Sequence, residues 1–429
     1  MFRKQFVISC ALLGLVLFAS TGRADDAAAR SVDVVVEWNR TLLSIIRTPG
    51  AQPPTVHPTR SFAIMHAAIY DAVNSIVRTH TPYVAFVVPA SHDASVKAAA
   101  AAAAHRVLVV LYPAFQSALD AELQRSLAHG SDRRDAEGIR IGEAAADQIL
   151  ARRSADGSAV QPPAYTFGSA PGDYQSTPPN FPKQPVFTHW PAVTPFALMR
   201  ADQFRPAPPP ALTSETYRSA FNEIRSLGIA NSATATPDEE LTGRFWNAAI
   251  QNYWNEIAQT ASLSQHLSTV QSARLFALLN LSFADGVIAF YDAKYAYNFW
   301  RPITAIRAAD TDGNPETEAD PNWLPEVGTT PSDPSYPGAH AVISAAGATV
   351  LSTFFDRDHF ELTVTSELLP GVERSFSSFS AAADEATLSR VFAGVHFRTD
   401  LTSGERLGRD VADFVLDHFL TPRRQRDTK

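Results

Sequence analysis

The sequence predicts an all-α protein, and three observations predict it. Apolar residues recur at the spacing of a helix face through most of the 429 residues. Strict alternation of apolar and polar residues, which marks a half-buried strand, is almost absent. Residues 160–210 hold 13 of the 30 prolines, which excludes a long helix there. We therefore expect two helical halves with an irregular, proline-rich segment between them.

Helical periodicity predicts five helices on each side of the proline-rich segment. Those before it are Val32–Ile46, Thr59–Val77, Ser95–Leu111, Ala114–Ala128 and Ala136–Ala151. Those after it are Ser214–Leu227, Asp238–Gln259, Leu263–Asn298, Ala341–Phe355 and Ala386–Phe419. Ser31 is the expected N-cap of the first helix.

These elements divide the chain into an N-terminal helical region (25–159), a covering loop (160–210) and a C-terminal helical region (211–429). The covering loop is rich in Phe, Tyr and Trp. Aromatic side chains favour a segment packed over a rigid body rather than a free linker. We expect residues 25–429 to form one compact catalytic unit.

The composition limits the classes of function. A hydrophobic share of 45% with 10% aromatic residues excludes wholesale disorder. The formal net charge of −8 argues against a general nucleic-acid binder, so no nucleic-acid partner is expected. A single cysteine, Cys10, excludes an internal disulfide framework, a cysteine-based zinc site and an iron–sulfur cluster.

The N-terminus predicts a signal peptide over residues 1–24. Arg3 and Lys4 precede the apolar run Phe6–Ser20, and the small residue Ala24 ends a cleavage site. No later apolar segment was expected to reach the length of a membrane span. The mature chain is therefore expected to be secreted or periplasmic, without a membrane span.

The first group of residues with chemical potential is Lys294 and Arg301, in the sequence KYAYNFWRP. Seven residues return to nearly the same side of a helix, so the two cations are expected to share one face. They repel each other unless an anion lies between them or each has a carboxylate of its own. The alternative is a solvated basic face with partners such as Asp292.

The second group is the sequence SYPGAH, which ends at His340 and opens a helix of small residues. Free amides at a helix N-terminus form an anion site, and a histidine there can donate or accept a proton. The alternative is a capping histidine beside a turn.

The third group is SRVFAGVHFRTD, with Arg390, His396 and Asp400. Four residues separate His396 from Asp400, which predicts one helical face and a carboxylate that holds one imidazole N–H. The other nitrogen is then free to bind a metal or attack phosphorus. Gly394 supplies a break that lets Arg390 converge with His396. The alternative is an ordinary buried hydrogen bond with a surface arginine.

Together the three groups supply three cations, helix N-terminal amides and two imidazoles, which suits a tetrahedral oxyanion. Their order (K-x6-R-P, P-x-x-H, S-R-x5-H-x3-D) resembles the signature of the superfamily of vanadium-dependent haloperoxidases and type 2 phosphatidic acid phosphatases. The sequence MHAAIYDAVN at Met65–Asn74 and the proline-rich middle are also similar to bacterial haloperoxidase-like proteins. The resemblance thus spans most of the mature chain.

The resemblance implies paired four-helix bundles and a vanadate cofactor, whose site phosphate can also occupy. His396 would be the vanadium ligand, or the nucleophile of a phosphatase, and Asp400 would orient it. His340 would be the acid–base group. The cations that hold the oxyanion would be Lys294, Arg301 and Arg390, and Lys294 would also polarise the bound peroxide.

The chain departs from the family pattern at three points. Gly338 and Ala339 replace the usual Ser-Gly before the acid–base histidine, so a hydroxyl donor is lost and the amides of these residues are expected to serve instead. Asp333 stands where haloperoxidases carry Phe or His, and its charge would oppose a halide unless it turns away. Tyr291 stands where chloroperoxidases use Trp. Bromide is therefore expected as a substrate rather than chloride.

Three functions are compatible with these residues. The first is a secreted vanadate-dependent peroxidase that uses hydrogen peroxide to oxidise a halide or a thioether. The second is a soluble acid phosphatase with a phosphohistidine at His396. The third is an oxyanion-binding protein without catalytic activity.

Overall fold

The computed structural model describes residues 33–84, 90–128 and 132–423. The signal peptide predicted over residues 1–24 and Ser31 lie outside the described residues. From Asp33 onward the chain forms one compact unit. The described residues contain thirteen α-helices and two short strands, so the predicted helical fold is confirmed.

Five helices precede the proline-rich segment: α1 (Val34–Arg47), α2 (Pro58–Val77), α3 (Val96–Leu111), α4 (Gln116–Leu127) and α5 (Arg133–Arg153). Asp33 caps α1, because its Oδ1 accepts the amide of Val35 at 3.1 Å. Helices α3 and α5 pack closely through small residues. A Cβ at Gly142 would lie 2.3 Å from the carbonyl oxygen of Ala99, so glycine is required at this contact.

Eight helices follow it: α6 (Glu215–Leu227), α7 (Pro237–Phe245), α8 (Ile250–Ser264), α9 (Thr269–Tyr297), α10 (Pro302–Arg307), α11 (Ala339–Phe355), α12 (Phe379–Phe392) and α13 (Arg398–His418). Two predicted helices are each two helices in the structure. The predicted Asp238–Gln259 divides into α7 and α8, and Ala386–Phe419 divides into α12 and α13. Gly394, with a φ of +77°, lies at the second break.

Helix α9 lies at the centre of the fold, with α2, α11 and α13 packed against it. It is long and apolar enough to cross a membrane, contrary to the expectation that no later segment reaches that length. Within the protein, 94% of its apolar window is buried. A core helix that is covered on all sides is apolar all round, which explains why it shows no amphipathic face.

The structure contains a β-hairpin that the sequence pattern did not predict. Strand β1 (His359–Thr365) pairs antiparallel with β2 (Glu373–Ser378). The signal is present in β1, where Phe360, Leu362 and Val364 are buried and the residues between them are exposed. Only three apolar positions carry the alternation, so it does not stand out beside the long helices.

The proline-rich segment contains no α-helix and wraps over the helices, as predicted. Asp285 on α9 holds this segment in place. Its carboxylate accepts hydrogen bonds from the backbone amides of Phe196, Ala197 and Leu198 at 2.6, 2.7 and 2.7 Å. Trp190 of this segment is buried. The segment is thereby held against the helix that also carries Lys294.

Candidate active site

A cavity of about 300 Å³ lies beside the C-terminal end of α9 and the N-terminal end of α11. Its polar wall consists of Lys294, Arg301, Asp333, His340, Arg390 and His396. Its apolar wall includes Val186 and Phe187 of the proline-rich segment, with Ile250, Val287, Phe290, Tyr291 and Ile343 of the helices. The structure thus brings together side chains from all three groups that the sequence analysis singled out. Ala339 lies in the same wall, and Gly338 and Asp400 lie behind it.

Lys294 and Arg301 converge at the end of α9, but not through one helical face as the spacing predicted. The helix ends at Tyr297, and Asn298 turns the chain in a left-handed conformation with a φ of 52°. Arg301 then precedes α10, where its Nε donates to the carbonyl of Asp333 at 2.8 Å. Lys294 is buried and donates to the carbonyl oxygens of Pro334 and Ser335.

Asp333 is the carboxylate that lies between these two cations. Its Oδ1 accepts from Nη2 of Arg301, and its Oδ2 lies 3.4 Å from Nζ of Lys294. Only 5% of the residue is exposed, and it faces the cavity rather than turning away. Asp292, the partner expected for a solvated basic face, is instead paired with Arg205 at 2.7 Å.

Arg390 is the cation with unused donors. Its Nη2 donates to Oδ1 of Asn247 at 3.0 Å, but Nε and Nη1 are buried without a partner among the described residues. Burial, followed by the charge of Arg301, lowers the pKa of Arg390 to about 9. A buried guanidinium with free N–H groups is costly unless an anion accepts from them. The sequence analysis missed Asn247, since a single asparagine carries no spacing signal.

His396 is held by Asp400 from behind the cavity. Nδ1 of His396 lies 3.1 Å from Oδ2 of Asp400, which also accepts from Oγ of Ser335 at 2.6 Å and from the amide of Phe397 at 3.1 Å. The pairing was predicted, but its geometric reason was wrong. His396 precedes α13 and Asp400 lies in its first turn, so a helix start joins them.

The environment of His396 fixes its protonation and tautomer. Burial, followed by the charges of Arg301 and Lys294, lowers the pKa of His396 well below its ordinary value. The imidazole is therefore neutral at neutral pH, and Asp400 accepts the hydrogen on Nδ1. Its Nε2 is therefore unprotonated, and the lone pair of this nitrogen accepts from Nη1 of Arg301 at 3.1 Å at the edge of the cavity.

His340 lies in the first turn of α11 and lines the cavity beside Ala339. Its Nε2 lies 2.9 Å from the carbonyl of Trp246, which makes Nε2 the donor and Nδ1 the acceptor. Burial, followed by the charge of Arg390, lowers the pKa of His340 well below its ordinary value. The amide of Gly338 donates to the carbonyl of Asp400 at 2.9 Å, so it is already engaged.

A histidine outside the three sequence motifs also lines the cavity. His57 lies at the start of α2 and contacts the edges of Phe187 and Tyr291, with ring centres 5.3 and 6.2 Å away. Burial lowers its pKa to about 3. His57 reaches the cavity because the N-terminal helices pack against the C-terminal ones. The residues next to it in the sequence do not indicate this packing.

The donor set fits a tetrahedral oxyanion better than a conventional metal centre. Among the described residues, no group of three or more His, Cys, Asp or Glu side chains could hold a metal ion. The cavity instead offers cations, the amides at the start of α11 and the unprotonated nitrogens of two imidazoles. The unpartnered donors of Arg390 fit an anion that accepts hydrogen bonds from them.

Comparison with known proteins agrees with this geometry. Residues 274–424, which contain all three motifs, match the family model of the second helical-bundle domain of VCPO. The vanadium chloroperoxidase of Curvularia inaequalis is 24% identical over 88% of this chain and 80% of that protein. The vanadium-dependent bromoperoxidase of Corallina officinalis is 32% identical over 25% of this chain and 20% of that protein.

Solved structures are similar to this chain over most of its length. The crystal structure of a bacterial vanadium-dependent iodoperoxidase superposes with a TM-score of 0.76 and 25% identity, over 91% of this chain and 97% of that one. A holo-type bacterial vanadium-dependent chloroperoxidase has the same fold, with a TM-score of 0.65, at 17% identity over 87% of this chain and 94% of that one. Motifs, fold and cavity therefore point to the same conclusion: residues 274–424 carry the second helical-bundle domain of the vanadium-dependent haloperoxidases, and the chain as a whole is similar to these proteins in fold.

Proposed function

We propose that the protein is a vanadate-dependent peroxidase that uses hydrogen peroxide to oxidise a halide or a thioether. The observation that carries the proposal is the guanidinium of Arg390, with Nε and Nη1 unpartnered among the described residues, in one cavity with Lys294, Arg301 and the unprotonated Nε2 of His396. The relatives named for chloroperoxidase, bromoperoxidase and iodoperoxidase activity support the same reaction class.

Each residue of the polar wall has a role in this function. Lys294, Arg301 and Arg390 hold the oxygens of vanadate, and Nε2 of His396 is its protein ligand. When bound, vanadate supplies the Lewis acidity that activates hydrogen peroxide. Asp400 keeps the hydrogen of His396 on Nδ1, so that Nε2 stays available. Phosphate, which has the same shape, can occupy the same residues.

His340 is the proton carrier of the proposed reaction. With Nε2 donating to the carbonyl of Trp246, its Nδ1 is left to accept a proton from incoming peroxide and to return it to the departing oxygen. The lowered pKa keeps this imidazole neutral and able to act as a base.

Asp333 shapes the choice of the second substrate. Its buried charge faces the cavity and repels a halide ion, most strongly the small and strongly hydrated chloride. A neutral thioether meets no such repulsion and can pack against the apolar wall. We therefore expect thioether and bromide oxidation rather than chloride oxidation.

The neutral Nε2 of His396 also supports a second candidate, a soluble acid phosphatase. The same lone pair can attack phosphorus, and the same cations can stabilise the five-coordinate state. Orthovanadate distinguishes the two functions, because it inhibits phosphate-ester hydrolysis and restores peroxidase activity.

The proposal is tested with purified protein stripped of bound anions. We expect vanadate to restore peroxide-dependent oxidation of methyl phenyl sulfide and of bromide, and His396→Ala to abolish both. His359→Ala is the control, because its side chain is 79% exposed on β1, away from the cavity. Absence of both oxidations in the reconstituted wild type would refute the proposal, and hydrolysis of a phosphate ester would favour the phosphatase.

We also propose that the protein acts outside the cytoplasm. The charged and apolar N-terminal sequence and the cleavage site at Ala24 support export. N-terminal sequencing of protein recovered from the periplasm or medium of the producing cells should begin at Asp25. Recovery of the uncleaved chain from the cytoplasm would contradict export.

A further inference from the structure

The buried charges of the cavity have an unusual balance. Three cations, Lys294, Arg301 and Arg390, face two carboxylates, Asp333 and Asp400. Asp400 lies behind the cavity wall, where its carboxylate accepts from Nδ1 of His396 and from the amide of Phe397 at the start of α13. Asp333 faces the same space that an oxyanion must enter.

Both the backbone and the side chain of Asp333 are hydrogen-bonded to Arg301. Its carbonyl oxygen accepts from Nε of Arg301 at 2.8 Å, which fixes the backbone beside the same guanidinium that its carboxylate binds. Its Oδ2 lies 3.4 Å from Nζ of Lys294. Two of the three cations are therefore already partly neutralised, and Arg390 alone keeps free donors.

We propose that Asp333 sets the charge of the anion site, so that the site selects singly charged tetrahedral oxyanions over doubly charged ones. The inference rests on the oxyanion site of the proposed function. With both carboxylates present, the five charged side chains leave one positive charge to be balanced by the ligand. A second negative charge on the ligand would stay uncompensated in a buried space, which is costly.

Two ions of the same shape but different charge test the selectivity. Perrhenate is a tetrahedral monoanion and tungstate is a tetrahedral dianion, and both keep their charge in dilute solution at neutral pH, below the lowered pKa of Lys294. Isothermal titration calorimetry on the metal-free protein measures the ratio of their affinities without reference to any enzymatic activity.

Asp333→Asn keeps the size of the side chain and removes its charge. We expect the affinity for tungstate, relative to perrhenate, to rise by roughly 15- to 250-fold, for a unit charge about 5 Å from the ligand at an effective dielectric constant of about 20 to 40. Asp333→Ser provides a second variant if the amide disturbs folding. Lys294→Gln removes a positive charge from the same site and should move the ratio towards perrhenate.

The matched control is Asp292→Asn. It removes the same unit charge two residues before Lys294, where Asp292 is paired with Arg205 outside the cavity wall. The ratio of affinities should stay at its wild-type value in this variant.

The outcomes separate the two hypotheses. An unchanged ratio in the Asp333 variants, or an equal change in Asp292→Asn, overturns the role of Asp333 and leaves the oxyanion site standing. Binding of neither ion, nor of vanadate, to the wild-type protein overturns the inference together with the proposed function.

Discussion

Replacing Asp400 by asparagine should weaken anion binding without unfolding the protein. In the structure one carboxylate oxygen, Oδ2, takes three donors: the Nδ1 side of His396, the hydroxyl of Ser335 and the amide of Phe397. An asparagine carbonyl can keep the bonds from Ser335 and Phe397. It cannot supply the negative charge that keeps the hydrogen of His396 on Nδ1 and makes Nε2 electron-rich.

The size of the effect follows from that single lost interaction. A hydrogen bond to a charged group contributes about 1.5–3 kcal/mol. Loss of a group that orients a metal-bound histidine typically lowers metal affinity about 10- to 100-fold. We expect the dissociation constant for vanadate in Asp400→Asn to rise within that range. Calorimetric titration of the anion-free protein measures it.

A matched variant separates positioning from general damage. Asp71 on α2 is also buried and accepts two backbone amides, from Tyr83 and Val84, at 2.7 and 2.8 Å. Asp71→Asn should lower the melting temperature and leave vanadate affinity unchanged. If Asp400→Asn binds vanadate as tightly as the wild type while its melting temperature falls as much as that of Asp71→Asn, the orienting role is refuted.

Three further predictions concern charge, covering and packing. Burial lowers the pKa of Lys294, so this side chain loses its proton at a lower pH than an exposed lysine does. The affinity for perrhenate, measured by calorimetry over a pH series, should fall over that lower range. An affinity that stays constant until strongly alkaline pH would contradict this. Asp285→Ala leaves three buried amides of the proline-rich segment without an acceptor, which should lower the free energy of unfolding in urea by about 3–5 kcal/mol. A decrease below about 1 kcal/mol would show that other contacts hold the segment. A Cβ at Gly408 would lie 2.1 Å from the carbonyl oxygen of Val342, so Gly408→Ala should separate α13 from α11, cost about 1–3 kcal/mol and weaken perrhenate binding. The control is Gly142→Ala, at the distant contact of α5 with α3. It should lower the free energy of unfolding by a similar amount and leave perrhenate binding unchanged. Equal loss of perrhenate binding in the two glycine variants would refute the idea that the contact of α13 with α11 supports the site.

The helical class and the order of the elements could be read from the sequence, because a helix buries one face through local spacing that the chain itself displays. The residues of the anion site could also be found, since Lys294, Arg301 and His396 stand in motifs with fixed spacing. Helix boundaries were less accessible. Gly394 marked one break, but no local signal separated α7 from α8, where a short turn joins the two helices.

The geometric reasons behind the site could not be derived in the same way. Helical spacing predicted that Lys294 and Arg301 share one helical face. In the protein a left-handed turn at Asn298 brings these two residues together, and the start of α13, not a continuous helix, brings His396 next to Asp400. The spacing of each pair in the sequence is compatible with both the predicted and the observed arrangement. Only packing distinguishes them, because the choice between continuing and ending a helix depends on what its next turn would meet.

The sequence by itself determined the chemical inventory: a helical body, a proline-rich covering segment and the motifs of an oxyanion site. Tertiary structure alone decided how the charges are distributed within that site. It placed Asp333 between two cations, left Arg390 with free donors and brought His57 into the lining of the cavity. Electrostatic balance in a buried space depends on distances between residues far apart in the chain, and no local pattern records those distances.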